Sequence, residues 1–171
     1  MSISQGTFIK FVEDDPNAVE KVYLEYKNLM YFVIASYVPD QYDVEDIMSD
    51  AFIKARKNSH AIKNHESLKS FLASVAKNQA LDFLRKQREV PSSDTIDEMY
   101  GEEDRTNALL SMFEPLLTNK ETIVTYLKVG FSFTWPEIAK ETSMSESTAR
   151  RLYDSAIKKL RKGLRWSLKN V

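Results

Sequence analysis

Cysteine is absent from this sequence of 171 residues, which excludes disulfides and thiolate-bound metal and fits a reducing compartment. Glycine (4) and proline (5) are scarce. No stretch alternates apolar and polar residues long enough to build a sheet, so an all-α fold is expected. The longest nearly apolar run, Leu29 to Val38, is ten residues, too short to cross a bilayer, and Met1 to Lys10 lacks the basic and apolar regions of a secretory leader. No membrane insertion and a cytoplasmic location are therefore expected. Histidine is limited to two residues, and His60 and His65, five apart, have no third ligand to complete a metal site. No Ser/His/Asp set and no phosphate-cradling glycine loop is present, so no catalytic residue, metal or cofactor is expected.

What is present is enough apolar material for folded cores, 43% hydrophobic and 11% aromatic, and a charge that is segregated rather than missing. The net charge is -1. Residues 1 to 50 hold ten acids and three bases, whereas 54 to 88 hold nine bases and two acids. Residues 89 to 104 hold seven acids and no base. That acidic stretch is broken by Pro91-Ser92-Ser93-Asp94 and Gly101, and reads as a solvated flexible linker. The resulting organisation is two small helical domains, 1–88 and 106–171, joined by the linker 89–105.

In the first domain, Val19, Val22, Tyr23, Tyr26, Met30, Val33 and Ile34 mark the buried side of a helix from about Asn17 to Tyr37. Asp40 or Asp43 can start a second helix that runs through Ile47, Ala51 and Phe52 toward Lys57. A loop around Ser59 to Glu66 follows. Ser67 to Gln87 then gives a third helix, with Leu68, Leu72, Val75, Ala76, Gln79, Phe83 and Leu84 along one stripe, and the three form a small bundle.

The second domain carries the more specific signal. Thr134 and Glu137 have capping-box spacing, with Pro136 inside the first helical turn where its missing N–H costs nothing. A short turn at Ser143-Met144 leads to Ser145, which can cap a long helix with Ala149, Tyr153, Ala156 and Leu160 on its apolar face. Arg150, Arg151, Asp154, Lys158 and Arg161 occupy the opposite face. From Ser143 to Val171 there are eight Lys/Arg against two Asp/Glu. Two helices, a tight turn and a basic second helix describe a helix-turn-helix, which places its second helix in the DNA major groove. A basic solvated face alone would look similar, so this pattern by itself leaves both readings open. Thr118 and Glu121 form another capping box, opening a helix through Ile123, Val124, Tyr126 and Leu127, residues that are first of all core.

Two further segments narrow the choice. Asp43 to Phe52, DVEDIMSDAF, resembles the D-A-E-D-L-x-Q-E-x-F segment of region 2 in bacterial sigma factors. Ser70 to Lys86, SFLASVAKNQALDFLRK, resembles the same family's S-F-x-x-W-L-x-x-I-A-x-N-x-A-L-D-x-L-R-R. Phe133 to Leu160 is similar to the region 4 pattern L-S-Y-x-E-I-A-x-x-L-G-I-S-x-G-T-V-K-S-R-L-x-R-A-x-K-x-L, with Ser143 in place of the turn glycine. The compact layout resembles the extracytoplasmic-function group, and the likeness spans nearly the whole chain outside the linker.

The resemblance implies a non-catalytic subunit that binds bacterial core RNA polymerase and directs promoter recognition and melting. Asp43, Glu45, Asp46, Asp50 and Phe52 match positions that dock on the clamp of the largest subunit, where charge complementarity favours encounter and register. Asn78 and Asp82 match positions near the melted promoter element, and Lys69, Lys77, Arg85 and Lys86 would follow the opened strand's backbone. The loop Ser59 to Ser67 lies where the family holds a flipped-out base. In region 4, Arg150, Arg151, Asp154 and Ser155 match positions facing the major groove of the upstream element. Ser147, Thr148 and Lys158 are better placed for phosphates. The Ile123 to Leu127 helix would help grip the flap of the second-largest subunit, and an anti-sigma factor is a further candidate partner. A sequence pI near 6.2 suits DNA binding within a larger machine. The rival reading is a two-domain helix-turn-helix regulator that binds DNA without polymerase, and a purely structural helical protein is a third.

Overall fold

The computed structural model describes the backbone of residues 3–89 and 116–169 and, within them, the side chains of 3–87 and 116–162. The chain divides into two compact units, Met1–Arg105 and Thr106–Val171. Among the described residues every regular element is helical. Residues 90–105 of the expected linker lie outside the described residues.

The first unit contains α1 (Gln5–Val12), α2 (Pro16–Ala35), α3 (Gln41–Lys57) and α4 (Leu68–Glu89). Each of the first three is started by a side chain that satisfies otherwise orphaned N–H groups. Ser4 Oγ accepts from Thr7 N at 3.2 Å, and Asp15 Oδ1 accepts from Ala18 N at 2.9 Å with Pro16 following it in the first turn. Asp40 Oδ1 accepts from both Tyr42 N and Asp43 N, at 2.9 and 3.1 Å. α1 was not expected from the sequence, because eight residues give too few turns for a period to emerge. Its buried side chains are Phe8 and Phe11, and truncating the fully buried Phe11 to alanine should cost about 3 to 5 kcal/mol.

α2, α3 and α4 pack on one another, and α1 packs on α2. Val22, Leu29, Met30, Ile34, Val44, Leu68 and Leu72 fill the middle. α4 contributes Ala73, Ala76 and Ala80, all fully buried, and such small side chains let neighbouring helices approach closely. The expected helix from Asn17 to Tyr37 is thus Pro16–Ala35, and the expected loop from Ser59 to Glu66 contains two single 3₁₀ turns, Ser59–Ala61 and His65–Ser67. Asn64 Oδ1 accepts from Ser67 N at 2.9 Å and so leads the chain into α4.

The second unit contains α5 (Asn119–Thr125), a π-type turn Tyr126–Gly130, α6 (Trp135–Thr142) and α7 (Glu146–Lys169). α5 and α6 both pack on α7. Phe133, Val124, Leu127, Ile138, Ala149 and Ala156 form the core. α6 ends at Ser143, which adopts a left-handed conformation (φ 55°). There its N–H and that of Met144 reach back to the last carbonyls of α6. This bend turns the chain sharply enough for Ser145 to begin the next helix, its Oγ accepting from Thr148 N at 3.2 Å.

Candidate nucleic-acid interface

α7 exposes Arg150, Arg151, Asp154 and Lys158 along one side. Together with Ser147 and Ser155 they line a shallow open groove. The Ser147 and Thr148 hydroxyls lie 3.0 and 2.8 Å from Ser145 Oγ, gathering three hydroxyls at the start of the helix, where the dipole is positive and phosphate is favoured. Arg150 is the most constrained of the basic side chains on this groove. Its Nη2 lies 3.8 Å from Glu146 Oε2, and its Cζ lies 4.8 Å from the centre of the Trp135 ring.

Ser155 borders this groove, but its hydroxyl is not turned outward as its match to a position facing the DNA major groove implies. Its hydroxyl donates to Glu121 Oε1 at 2.6 Å, turned toward α5. Lys159, one helical turn later, donates to Glu121 Oε2 at 2.7 Å. The same Oε2 accepts from Thr118 N and Thr118 Oγ1, at 2.8 and 3.0 Å. Glu121 is 3% exposed. Burial pushes its carboxyl up, but the hydrogen bonds from Lys159, Ser155 and Thr118 outweigh that and lower it to about 2.

In the first unit, Asp43, Asp46 and Asp50 share one side of α3 because they are spaced by three and four residues, whereas Glu45 lies on another. Asp46 and Asp50 are exposed and Asp43 is half-buried. Partial burial, together with the negative charges of Asp40 and Asp46, raises the Asp43 carboxyl above its ordinary value. Phe52, expected with these acids, is instead a core residue, 9% exposed. Its ring meets Tyr23 edge-on at 5.1 Å and Phe11 at 6.4 Å. The nearby aromatic that does reach solvent is Tyr42, 81% exposed.

On α4, Lys77, Leu81 and Arg85 recur at intervals of four with Asn78 beside them, so they form one side of the helix. Lys69 and Lys86 lie roughly a quarter turn to either flank. Asn78 is exposed, and so is the apolar Leu81. Asp82 is engaged with cations rather than standing open. It lies 3.3 Å from Arg85 and 3.9 Å from Lys54 of α3, while Lys54 Nζ also donates to Gln79 at 2.6 Å.

Residues 22–90 match the model of the Sigma-70 region 2 family. The chain is 30% identical over 79 residues to the ECF RNA polymerase sigma factor SigM of Bacillus subtilis, covering 46% of this chain and 48% of that relative. It is 29% identical over 142 residues to RNA polymerase sigma factor SigV of the same organism, covering 80% of this chain and 85% of that protein. Residues 22–90 thus carry a Sigma-70 region 2, and the chain is similar to extracytoplasmic-function sigma factors. Its fold is shared with the sigma factor RpoE of Bartonella quintana, solved in complex with the anti-sigma factor NepR. That likeness has a TM-score of 0.59 at 18% identity and covers 85% of this chain and 96% of the other.

Two features of this chain were not anticipated as parts of the site. The capping-box spacing disclosed Glu121 as a helix start, but its partners Ser155 and Lys159 lie 34 and 38 residues away, beyond any local signal. Trp135 stood in the family-like segment with no role, and its position against Arg150 follows only from how α6 and α7 cross. Among the described residues no cluster of His, Cys, Asp and Glu could hold a metal ion. Nor is any described helix long and apolar enough to cross a membrane.

Proposed function

We propose that this chain is an extracytoplasmic-function sigma factor that directs transcription initiation as a non-catalytic cytoplasmic subunit, joining core RNA polymerase through the acidic side of α3. Asp43, Asp46 and Asp50, with Glu45 to one side and Tyr42 at the helix start, form the surface for the clamp of the largest subunit. Phe52 supports that surface from the core. Lys77, Asn78 and Arg85, flanked by Lys69 and Lys86, follow the strand released on melting. There cations meet phosphates, while Asn78 and Leu81 meet exposed bases. Asp82 orders Arg85 within that side.

In the second unit, Arg150, Arg151 and Asp154 read base edges of the upstream element in the major groove, and Ser147, Thr148 and Lys158 hold its phosphates. Ser155 works through Glu121 to hold the helix. α5 is the candidate contact for the polymerase flap. An anti-sigma factor is the candidate regulator, since a structural relative is held by one. The domain bounds proposed are 1–88 and 106–171, with 89–105 as linker.

The observation that carries this reading is the separation of charge within a nearly neutral chain. An acidic side on α3 and a basic side on α7 call for partners of opposite sign. The test is transcription in vitro with bacterial core polymerase and a genomic fragment library. Transcripts that start downstream of shared sequence elements are expected only when this chain is added. Sequence-specific DNA binding by the chain alone, with no promoter-specific transcripts when core is present, would overturn the proposal.

A further inference from the structure

We infer that Trp135 is a positioning residue for base reading, setting where the Arg150 guanidinium points before DNA arrives. The inference rests on α7 being the helix that reads the upstream element. Trp135 is the first residue of α6, off the reading helix. Its indole lies 4.8 Å from Arg150 Cζ and meets the Tyr153 ring edge-on at 5.5 Å and 71°. Tyr153 belongs to α7's half-buried side, so the indole is braced against the helix whose arginine it touches. Lys128 Nζ lies 4.8 Å from the same ring and donates to Phe133 O at 3.1 Å. That contact ties the start of α6 to the preceding π-type turn, so the indole is held from a second side of the sequence.

A guanidinium is planar and weakly hydrated, and it stacks on aromatic faces as a lysine ammonium does not. Glu146 also reaches Arg150, but at 3.8 Å between two half-exposed side chains it is a weak, salt-screened hold. The indole is therefore the main restraint. Arg151, the next residue, has neither contact among the described residues. A long side chain ordered beforehand gives up less freedom when it pairs with a base edge, and its donors are already aimed. Trp135 would in this way raise discrimination at the base pair Arg150 reads without touching DNA.

The test uses holoenzyme reconstituted with bacterial core polymerase and a pool of randomised upstream elements. The variants are Arg150→Ala, Trp135→Met, Trp135→Phe and the double variant Trp135→Met/Arg150→Ala, with circular dichroism recorded for each. Trp135→Leu takes the place of Trp135→Met if the latter loses its helical signal. Arg150→Ala should erase preference at one base pair. Trp135→Met should weaken preference at that same pair by roughly twofold to fivefold, the range of a solvent-exposed cation–π contact, and leave the others unchanged. Trp135→Phe should restore most of it, and the double variant should match Arg150→Ala. If Arg150→Ala leaves preference intact, the reading of α7 itself is wrong. If Arg150→Ala acts but Trp135→Met does not, or acts at every position, or adds to it in the double variant, the positioning role is refuted.

Discussion

Replacing Glu121 with glutamine removes one charge from a buried site and tests how the second unit is held together. Its carboxyl is lowered from 4.5 to about 2 in the folded chain. The difference of roughly 2.5 pKa units corresponds to about 3 kcal/mol of stability, at about 1.4 kcal/mol per unit. Because the folded value is the lower one, that stability is fully present above pH 4.5. It is lost as pH falls toward 2, where the carboxylate is protonated in both states. Lys159 is 43% exposed at its side chain, so its own share is reduced by solvent. Glutamine fares best with its oxygen at the Oε2 position, accepting from Thr118, while Ser155 rotates to accept from the new amide. The loss expected at neutral pH is then about 2 to 3 kcal/mol. Both tryptophans, Trp135 and Trp166, lie in the second unit, so tryptophan fluorescence during urea unfolding of the full chain reports on that unit selectively. The gap between wild type and Glu121→Gln should be widest near pH 7 and close between pH 4.5 and 2. A gap of the same size at pH 2.5 and pH 7, or no gap at pH 7, would refute the reasoning.

Reversing charge at both Asp46 and Asp50 to lysine should weaken binding to core polymerase by about tenfold or more at low salt. The effect should shrink as salt rises, with helical content unchanged; equal affinities at low salt would remove α3 from the docking surface. Asn78→Ala should slow promoter opening, seen as weaker permanganate reactivity of the melted strand, with upstream footprints intact. The reverse pattern would exchange the roles given to the two units. At Ser143, where φ is 55°, glycine should match or exceed the wild-type urea midpoint. Valine should lower stability by about 1 to 2 kcal/mol, since a β-branched residue fits the left-handed region poorly. Equal midpoints for the two would mean the turn is free to rearrange.

The four long helices were legible in the sequence because each spans enough turns for its apolar period to show, and Asp40 and Ser145 stood as recognisable capping residues before α3 and α7. α1 escaped because its eight residues offer only Phe8 and Phe11 as a pattern. Charged positions in the middle of a helix side were legible in type and in orientation. Asp46, Asp50 and Arg150 reach solvent as their helical spacing implies. Phe52 lies at the edge of the apolar side of α3, where it meets the side that carries Glu45, and only the presence of Tyr23 and Phe11 shows which it joins. Ser155 borders the groove in the same way, and the buried Glu121 draws its hydroxyl inward. Residues on such borders are decided by what another element places opposite them, which no helical period encodes.

The grip of Glu121 on Ser155 and Lys159 also fixes an angle. These two residues are four apart, stacked on one side of α7, so a single carboxylate holding both prevents the helix from rolling about its own axis. Side-chain tips on a helix lie about 5 to 6 Å from that axis, and a roll of about 20° would carry a guanidinium roughly 2 Å sideways, farther than a hydrogen bond to a base edge tolerates. An acid anchored on α5 thereby sets the azimuth at which Arg150 and Arg151 face outward. A library of promoter specificities could therefore be built by changing α7's outer residues alone, provided Glu121, Ser155 and Lys159 are kept as its key and keyway.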